Sequence, residues 1–534
     1  LMRDGKRTVL SMQNNYEGPA EDFAMVVPVP VVLKKKEVKT LPEGLFASLD
    51  ALSAPRLVEY WERDPCNPPV RVMEGAIQTR ATASKSGGSG RRKGGGTVTV
   101  EAQFNVGEYE IVVLSSDEST ALEDWLVEND YNIPDGAAPY FKPYIQKGQY
   151  FFVARVNIDK VEYEEGQALL SPIRFHYDAD DFVLPVRLGL INSKGAQDLI
   201  TFILARNQRY EVANLPNVTI PTNIPVKAET KKSFASFYRE LFDNVLKENP
   251  QAVVTEYAWN AATCDPCPKS PMQPRELMSL GADVLPSLKK QRKRSGKYRN
   301  PWAATGRDWT LTRLHTRYGK QTLGEDLVFE KAGPIMGGRG MPQGAQGELG
   351  EKTAKESQVN NFQGRYVIRH FWEGEVDCED PQRGIWGGPT GGSRPDTSAA
   401  SNLAFSGSQK RAGLATFVED QETIPGLEKE VASYDEPAGD VIASWGSLVE
   451  APSMEDVDST TNPDGQADEP SKMGSQADKP SQMEGEQTKS AEETKESDPG
   501  SNKKGGCASG GAGAGLILIF GWAGLAAVRR RTGG

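Results

Sequence analysis

From about residue 456 to residue 506 the chain is nearly free of large apolar side chains and is rich in Asp, Glu, Ser, Gly, Pro, Gln and Lys. A segment of that composition cannot bury enough apolar surface to offset the entropy of ordering it. Any packed core must therefore come from what precedes it. The character of the chain already shifts after about Gly387, so we divide it into a folded region, 1–386, an acidic Pro/Ser/Glu-rich disordered linker, 387–506, and a tail, 507–534. Within the linker, residues 466–473 (QADEPSKM) recur as 476–483 (QADKPSQM), a repeat too short and too polar to stack on itself. If residues 456–506 behave as a coil, their root-mean-square span is on the order of 40 Å, enough to lift a domain clear of a membrane face.

With 54 Gly, 35 Pro and a mean hydropathy of -0.53 in 534 residues, the rest holds one or two domains rather than several. A formal charge of -11 argues against a nucleic-acid partner, because phosphate recognition needs a positive field over the contact surface. Two basic stretches are local exceptions. Residues 79–96 (TRATASKSGGSGRRKGGG) have no apolar side chain larger than alanine and read as a flexible insertion. Residues 289–299 (KKQRKRSGKYR) read as a solvated loop and receive no function. The chain opens at Leu1 with a strand-like run at residues 7–10 and no basic and apolar leader before it. We expect a truncated N-terminus, so a missing signal peptide does not count against export.

Short runs rich in β-branched and aromatic residues predict strands at 23–30, 97–104, 109–114, 150–156, 182–190 and 199–204. Pro28 and Pro30 alternate with valines, which predicts an edge strand or extended lead-out there. A helix is predicted over residues 120–128, with Thr120 and Glu123 at capping-box spacing and Leu122, Trp125 and Leu126 on one face. A second covers 233–247, where Phe234, Phe237, Tyr238, Leu241, Phe242 and Val245 form a core-facing stripe before Asn249-Pro250. A third helical reading covers 45–52 and 56–61, interrupted by Pro55. The fold class expected is α+β: a β-rich ectodomain with a few amphipathic helices, a disordered tether, and a single C-terminal apolar membrane helix.

The tail carries no charge from residue 508 to 528 and then ends in Arg529, Arg530 and Arg531. That arrangement predicts a membrane segment whose arginines stay on the cytoplasmic side, with the long N-terminal part outside. Its front half is Gly and Ala, so the span is marginal against the roughly 20 residues a comfortable crossing needs. Gly506 and Cys507 stand at the boundary, where a thiol is open to acylation or processing. Gly-Cys, a Gly/Ala-rich apolar stretch and terminal Arg-Arg-Arg together resemble the MYXO-CTERM sorting tail. The resemblance implies export, cleavage near Cys507 by a membrane-embedded, myxosortase-like protease, and attachment at the cell surface. A glycolipid-anchor signal, which normally lacks the arginine cluster, is the lesser alternative.

Cys264 and Cys267 form a CDPC pair whose spacing suits a redox couple, half of a zinc site or a disulfide. Zinc would need two further ligands, and no second such pair or paired histidine accompanies it, since His176, His315 and His370 are scattered. In an exported protein the four cysteines Cys66, Cys264, Cys267 and Cys378 most simply make two disulfides, with three connectivities open. No G-x-S-x-G, phosphate loop or HExxH is present, and the GGRG at 337–340 reads as a plain turn. No catalytic residue, cofactor or metal ligand is assigned.

Residues 22–30 (DFAMVVPVP), 125–131 (WLVENDY), 144–156 (YIQKGQYFFVARV), 172–175 (PIRF), 184–188 (LPVRL), 312–318 (TRLHTRY) and 364–370 (GRYVIRH) together resemble the exported bacterial proteins grouped as domain of unknown function 2330. The resemblance spans most of residues 7–375; departures are the Gly-rich insertion and the missing beginning, where such proteins carry a signal peptide and further cysteines. It implies location and a continuous fold but no activity. The expected function is an exported, surface-anchored structural or binding module, more an interaction protein than an enzyme, with its ligand unknown. The competing expectation is an envelope hydrolase or thiol redox enzyme using a histidine or the CxxC pair. It would place a histidine in a cleft beside an acid or a cysteine, with its titration shifted.

Overall fold

The β-branched and aromatic runs pair into a β-rich α+β fold with few helices. The computed structural model describes residues 1–13, 24–42, 44–67, 98–129, 131, 136–157, 160–164, 167–191, 195–288, 308–388, 413–419, 424 and 447–449, all in one compact unit, Leu1–Val457. The 79–96 insertion, the 289–299 run, most of the linker, and the tail with Gly506, Cys507 and Arg529 to Arg531 lie outside the described residues. Among the described residues no helix is long and apolar enough to cross a membrane.

An eleven-stranded sheet forms the spine. Its central strands are Val253–Asn260, Trp309–Tyr318 and Gln197–Arg206, antiparallel in that order, followed by Met2–Asp4, Arg7–Met12 and Ile173–Asp178. Both faces are covered, so both faces are apolar. In Gln197–Arg206, Leu199, Ile203 and Ala205 join one core while Leu204 joins the other, as period-two alternation requires. On the first face lies a five-stranded sheet that includes Ala24–Val29, Tyr150–Val156 and Tyr109–Ser115. Phe152 meets Phe175 across this interlayer at 5.0 Å between ring centroids. The outer side of the smaller sheet is closed by helices Ser119–Glu128 and Ala138–Gln146. Leu45–Ser53 and Pro274–Leu280 cover the second face of the spine around Trp309 and Leu311. Phe234–Glu248 buries its predicted stripe against Val254, Phe362 and Tyr366.

Several expectations are corrected. Residues 56–61, read as helical, form the strand Arg56–Glu62, paired in parallel with Arg365–His370. Pro55 ends the preceding helix, and the sequence RLVEYWE then offers alternate residues to a sheet. Residues 182–190 hold only the short strand Val183–Leu184 before a 3-10 turn at Arg187–Leu190. The capping box at Thr120 does not form: Ser119 begins the helix, Glu118 is its N-cap, and the Glu123 carboxylate accepts from the Ala137 amide at 3.2 Å. The proline-bearing strand Ala24–Val29 pairs along its whole length with Tyr150–Val156, while its other side is contacted only at Val26, Met25 and Ala24 by Ser447–Val449. Pro28 thus sits where no ladder hydrogen bond is required of it on that side. Residues 413–419 and 424 fall inside the stretch assigned to the linker, yet Leu414, Phe417, Val418 and Ile424 are buried beside Phe237 and Tyr238. They are large apolar residues in an otherwise polar stretch, and a groove beside helix Phe234–Glu248 takes them.

Candidate functional site

Strand Val253–Asn260 loses register with Trp309–Tyr318 between Thr255 and Tyr257, which makes Glu256 the extra residue of a β-bulge. A bulge re-aims the side chain it carries. Here the Glu256 carboxylate accepts hydrogen bonds from the Tyr238 hydroxyl, from Arg313 Nε at 2.5 Å and from His315 Nδ1 at 2.7 Å. The neighbouring strand reads TRLHTRY, and its alternation puts Arg313, His315 and Arg317 on one face. His315 Nε2 meets Asp198 at 3.1 Å, Arg317 bridges Asp198 and Asp243 at 2.9 and 2.6 Å, and Arg313 reaches Asp50 at 2.5 Å. The imidazole lies flat on Phe242, ring centroids 3.8 Å apart.

His315 and Glu256 are 1 % and 0 % exposed. Burial disfavours charge on both, but mutual attraction wins. Glu256 is held down to about 2 by His315 and Arg313, and the flanking carboxylates of Glu256 and Asp198 raise His315. The histidine-beside-an-acid geometry expected of a catalyst is therefore present, but not in a cleft. Both ring nitrogens are occupied by carboxylates, which leaves none to take a proton from a substrate. The arrangement ties three strands to the helices Leu45–Ser53 and Phe234–Glu248.

The other histidines are further apart. His176 Nδ1 faces the Glu37 carbonyl at 3.1 Å and is half-buried; burial and the nearby Arg7 and Arg174 lower its affinity for a proton. His370 stacks on Trp61 at 4.7 Å and meets Glu59 Oε2 at 2.9 Å, at the end of a parallel strand pair. The structure brings none of the three together. Among the described residues no group of His, Cys, Asp or Glu is placed to hold a metal.

The four cysteines of the body form two disulfides, Cys66–Cys378 and Cys264–Cys267, with Cα atoms 5.7 and 4.8 Å apart. The first ties the end of Arg56–Glu62 to the segment beyond Arg365–His370, beside Trp61, His370, Phe371 and Trp386. The second closes a surface turn above two buried arginines that face each other in the parallel ladder, Arg56 and Arg365. Arg56 donates to the Leu52 and Pro266 carbonyls at 2.6 and 2.9 Å; Arg365 donates to Gly340 O at 2.5 Å, Asn223 Oδ1 at 2.8 Å and the Tyr60 hydroxyl at 3.2 Å. Gln363 donates to the Asp265 carbonyl and, at 2.9 Å, to Gly338 O. The GGRG turn thus supplies inward-facing carbonyls. Gly338, at φ +70, sits so close to the Gln363 carbonyl that any side chain would collide with it.

Among the described residues no carboxylate hydrogen-bonds to either of these arginines, and burial lowers the proton affinity of both guanidiniums. Asp265, in the CDPC turn, is the acid whose attraction acts on both. The Arg56 Nε, the Tyr257 hydroxyl and Gln363 Oε1 are buried there without a hydrogen-bond partner. Sequence inspection gave no sign of this cluster, because Arg56, Asp265 and Arg365 are separated by about two hundred and one hundred residues.

The family described as an uncharacterized protein conserved in bacteria, domain of unknown function 2330, matches residues 1–330. The chain belongs to this family. In this member of the domain of unknown function 2330 family, the matched region contains the bulge at Glu256, the TRLHTRY strand and the CDPC turn, while Arg365 and Cys378 lie beyond it. No curated protein and no solved structure matches the chain.

Proposed function

We propose that this protein works outside the cytoplasm as a non-enzymatic binding or structural module of the bacterial envelope, held at the cell surface on its acidic linker. The observation that carries the reading is the Cys66–Cys378 disulfide, which joins positions 312 residues apart and uses cysteines that a reducing cytosol would keep as thiols. The Cys264–Cys267 disulfide accounts for the remaining cysteines of the body. The enclosure of His315 between two carboxylates supports a binding role over hydrolysis. At the other end, Cys507, the uncharged stretch to residue 528 and the three arginines after it support an anchor that is processed by a sorting protease. Exposed Phe371, packed edge-on against Trp386 near the segment that the disulfide ties down, is the surface feature best suited to a partner.

The test is the intact mass of the mature protein recovered from the cell surface, compared with a Cys507→Ala variant. Loss of the segment after Cys507 in the parent and its retention in the variant is the expected result. A full-length C-terminus in both contradicts processing, and recovery of the protein from the cytosol with free thiols contradicts the whole reading.

A further inference from the structure

The two disulfides differ in what surrounds them. Cys267 is exposed while Cys264 is half-buried against the core, so only one sulfur of the CDPC turn is open to attack from solution. Beneath the turn, Arg56 and Arg365 are 2 % and 0 % exposed. Their hydrogen bonds go to carbonyls, an amide and a phenol. Positive charge close to a cysteine favours its thiolate, both as a leaving group and as the resting reduced form. The backbone of the turn is also held independently of its sulfurs: Arg56 donates to the Pro266 carbonyl and Gln363 to the Asp265 carbonyl. After reduction those bonds keep the two thiols near each other, so the disulfide can close again.

We infer that the Cys264–Cys267 pair is a thiol–disulfide exchange site, poised by two buried arginines and entered through Cys267. An incoming thiolate attacks the Cys267 sulfur; the Cys264–Cys267 bond breaks, a mixed disulfide forms on Cys267, and Cys264 leaves as a thiolate. A second thiolate attacks the sulfur of the first thiol in that mixed disulfide. Cys267 is released as a thiolate, and the two incoming thiols end as a disulfide. Two electrons pass from those thiols to the protein, and the protein's two thiolates take up protons according to pH. The inference goes beyond a binding role and does not depend on it.

The test equilibrates the full chain with glutathione over a series of reduced-to-oxidised ratios, quenches in acid, alkylates free thiols and maps peptides. Cys264–Cys267 should open at ratios that leave Cys66–Cys378 intact, and the trapped glutathione adduct should sit on Cys267. Asp265→Asn, on an exposed side chain, removes the negative charge that acts on both arginines and should ease reduction roughly fivefold, the size of one charge acting across a partly solvated gap. Arg56→Met should shift it the opposite way. If Arg56→Met fails to fold, the Asp265→Asn comparison alone decides. Reduction of both disulfides together, an adduct on Cys264, or no response to Asp265→Asn overturns the assignment. Exchange with a cysteine-bearing protein as well as glutathione assigns the site to protein thiols; exchange with glutathione alone assigns it to small ones.

Discussion

Two arginine clusters, one on the strand Trp309–Tyr318 of the large sheet and one in the parallel pair Arg56–Glu62 and Arg365–His370 of a smaller sheet, are treated in opposite ways. Arg313 and Arg317 are matched by Asp50, Glu256, Asp198 and Asp243, with His315 completing the circuit. Arg56 and Arg365 are matched by carbonyls, an amide and a phenol, with Asp265 on a surface turn the acid that acts on both and Glu351 acting on Arg365. Desolvating a guanidinium costs several kcal/mol in either place. Where carboxylates offset that cost, the charges act as internal fasteners between strands and helix. Where they do not, the field remains available to whatever lies above it, and what lies above it is a reducible bond. The comparison separates charge that holds the fold from charge that can act on chemistry.

The largest effect that would sharpen this contrast is Glu256→Ala. It takes the acceptor from Tyr238 and one of two carboxylate partners from each of Arg313 and His315 in the interior, and urea unfolding should show a loss of roughly 3–5 kcal/mol. A loss under about 1 kcal/mol would mean that the network is not a fastener. Arg365→Met is the matching change in the second cluster. It removes a buried charge that has no carboxylate, at the cost of unpairing Asn223 and Gly340, and should cost only about 1–2 kcal/mol. Equal losses in the two variants would erase the distinction.

A smaller effect appears in the pH dependence of stability. Glu256 and Asp198 bind protons more weakly when folded, despite their burial. Their contribution is complete above the unfolded carboxylate values near ~4.3 and is lost as pH falls, for Glu256 toward about 2. His315 binds its proton more tightly when folded, so its contribution is complete below its unfolded value near ~6.5 and is lost as pH rises through the raised folded value. Urea midpoints should therefore be highest between roughly pH 4.5 and 6.5. His315→Gln should flatten the alkaline side of that curve; an unchanged alkaline slope would remove His315 from the account.

Much of the scaffold was legible from periodicity. The stripe on helix Phe234–Glu248 and the runs at Tyr109–Ser115 and Tyr150–Val156 are assigned by residue pattern alone, because all three are long enough to carry several repeats. Residues 56–61 were misread because the short run RLVEYW after a proline satisfies either period, and only partners distant in the chain, chiefly Arg365–His370, decide between them. Helix Ala138–Gln146 was missed: Pro143 and three aromatic residues argue against helix locally, while Phe141 and Tyr144 earn their burial only in the assembled core. The alternation of Arg313, His315 and Arg317 was readable, and it is the signal that could have located the charged network. The bulge that turns Glu256 toward it was not, since a register shift depends on two strands and leaves no mark in one. The arginines beneath the CDPC turn are likewise a product of topology.

At the centre of the account are two disulfides of different kinds, one structural and one chemically open. Peptide mapping under non-reducing conditions, on protein taken directly from cells and blocked at once with an alkylating agent, tests it most directly. The account predicts a Cys66–Cys378 cross-link throughout, with Cys264 and Cys267 joined to each other or present together as blocked thiols. A Cys66 or Cys378 recovered mostly as a free thiol, or either one linked to Cys264 or Cys267, would contradict it.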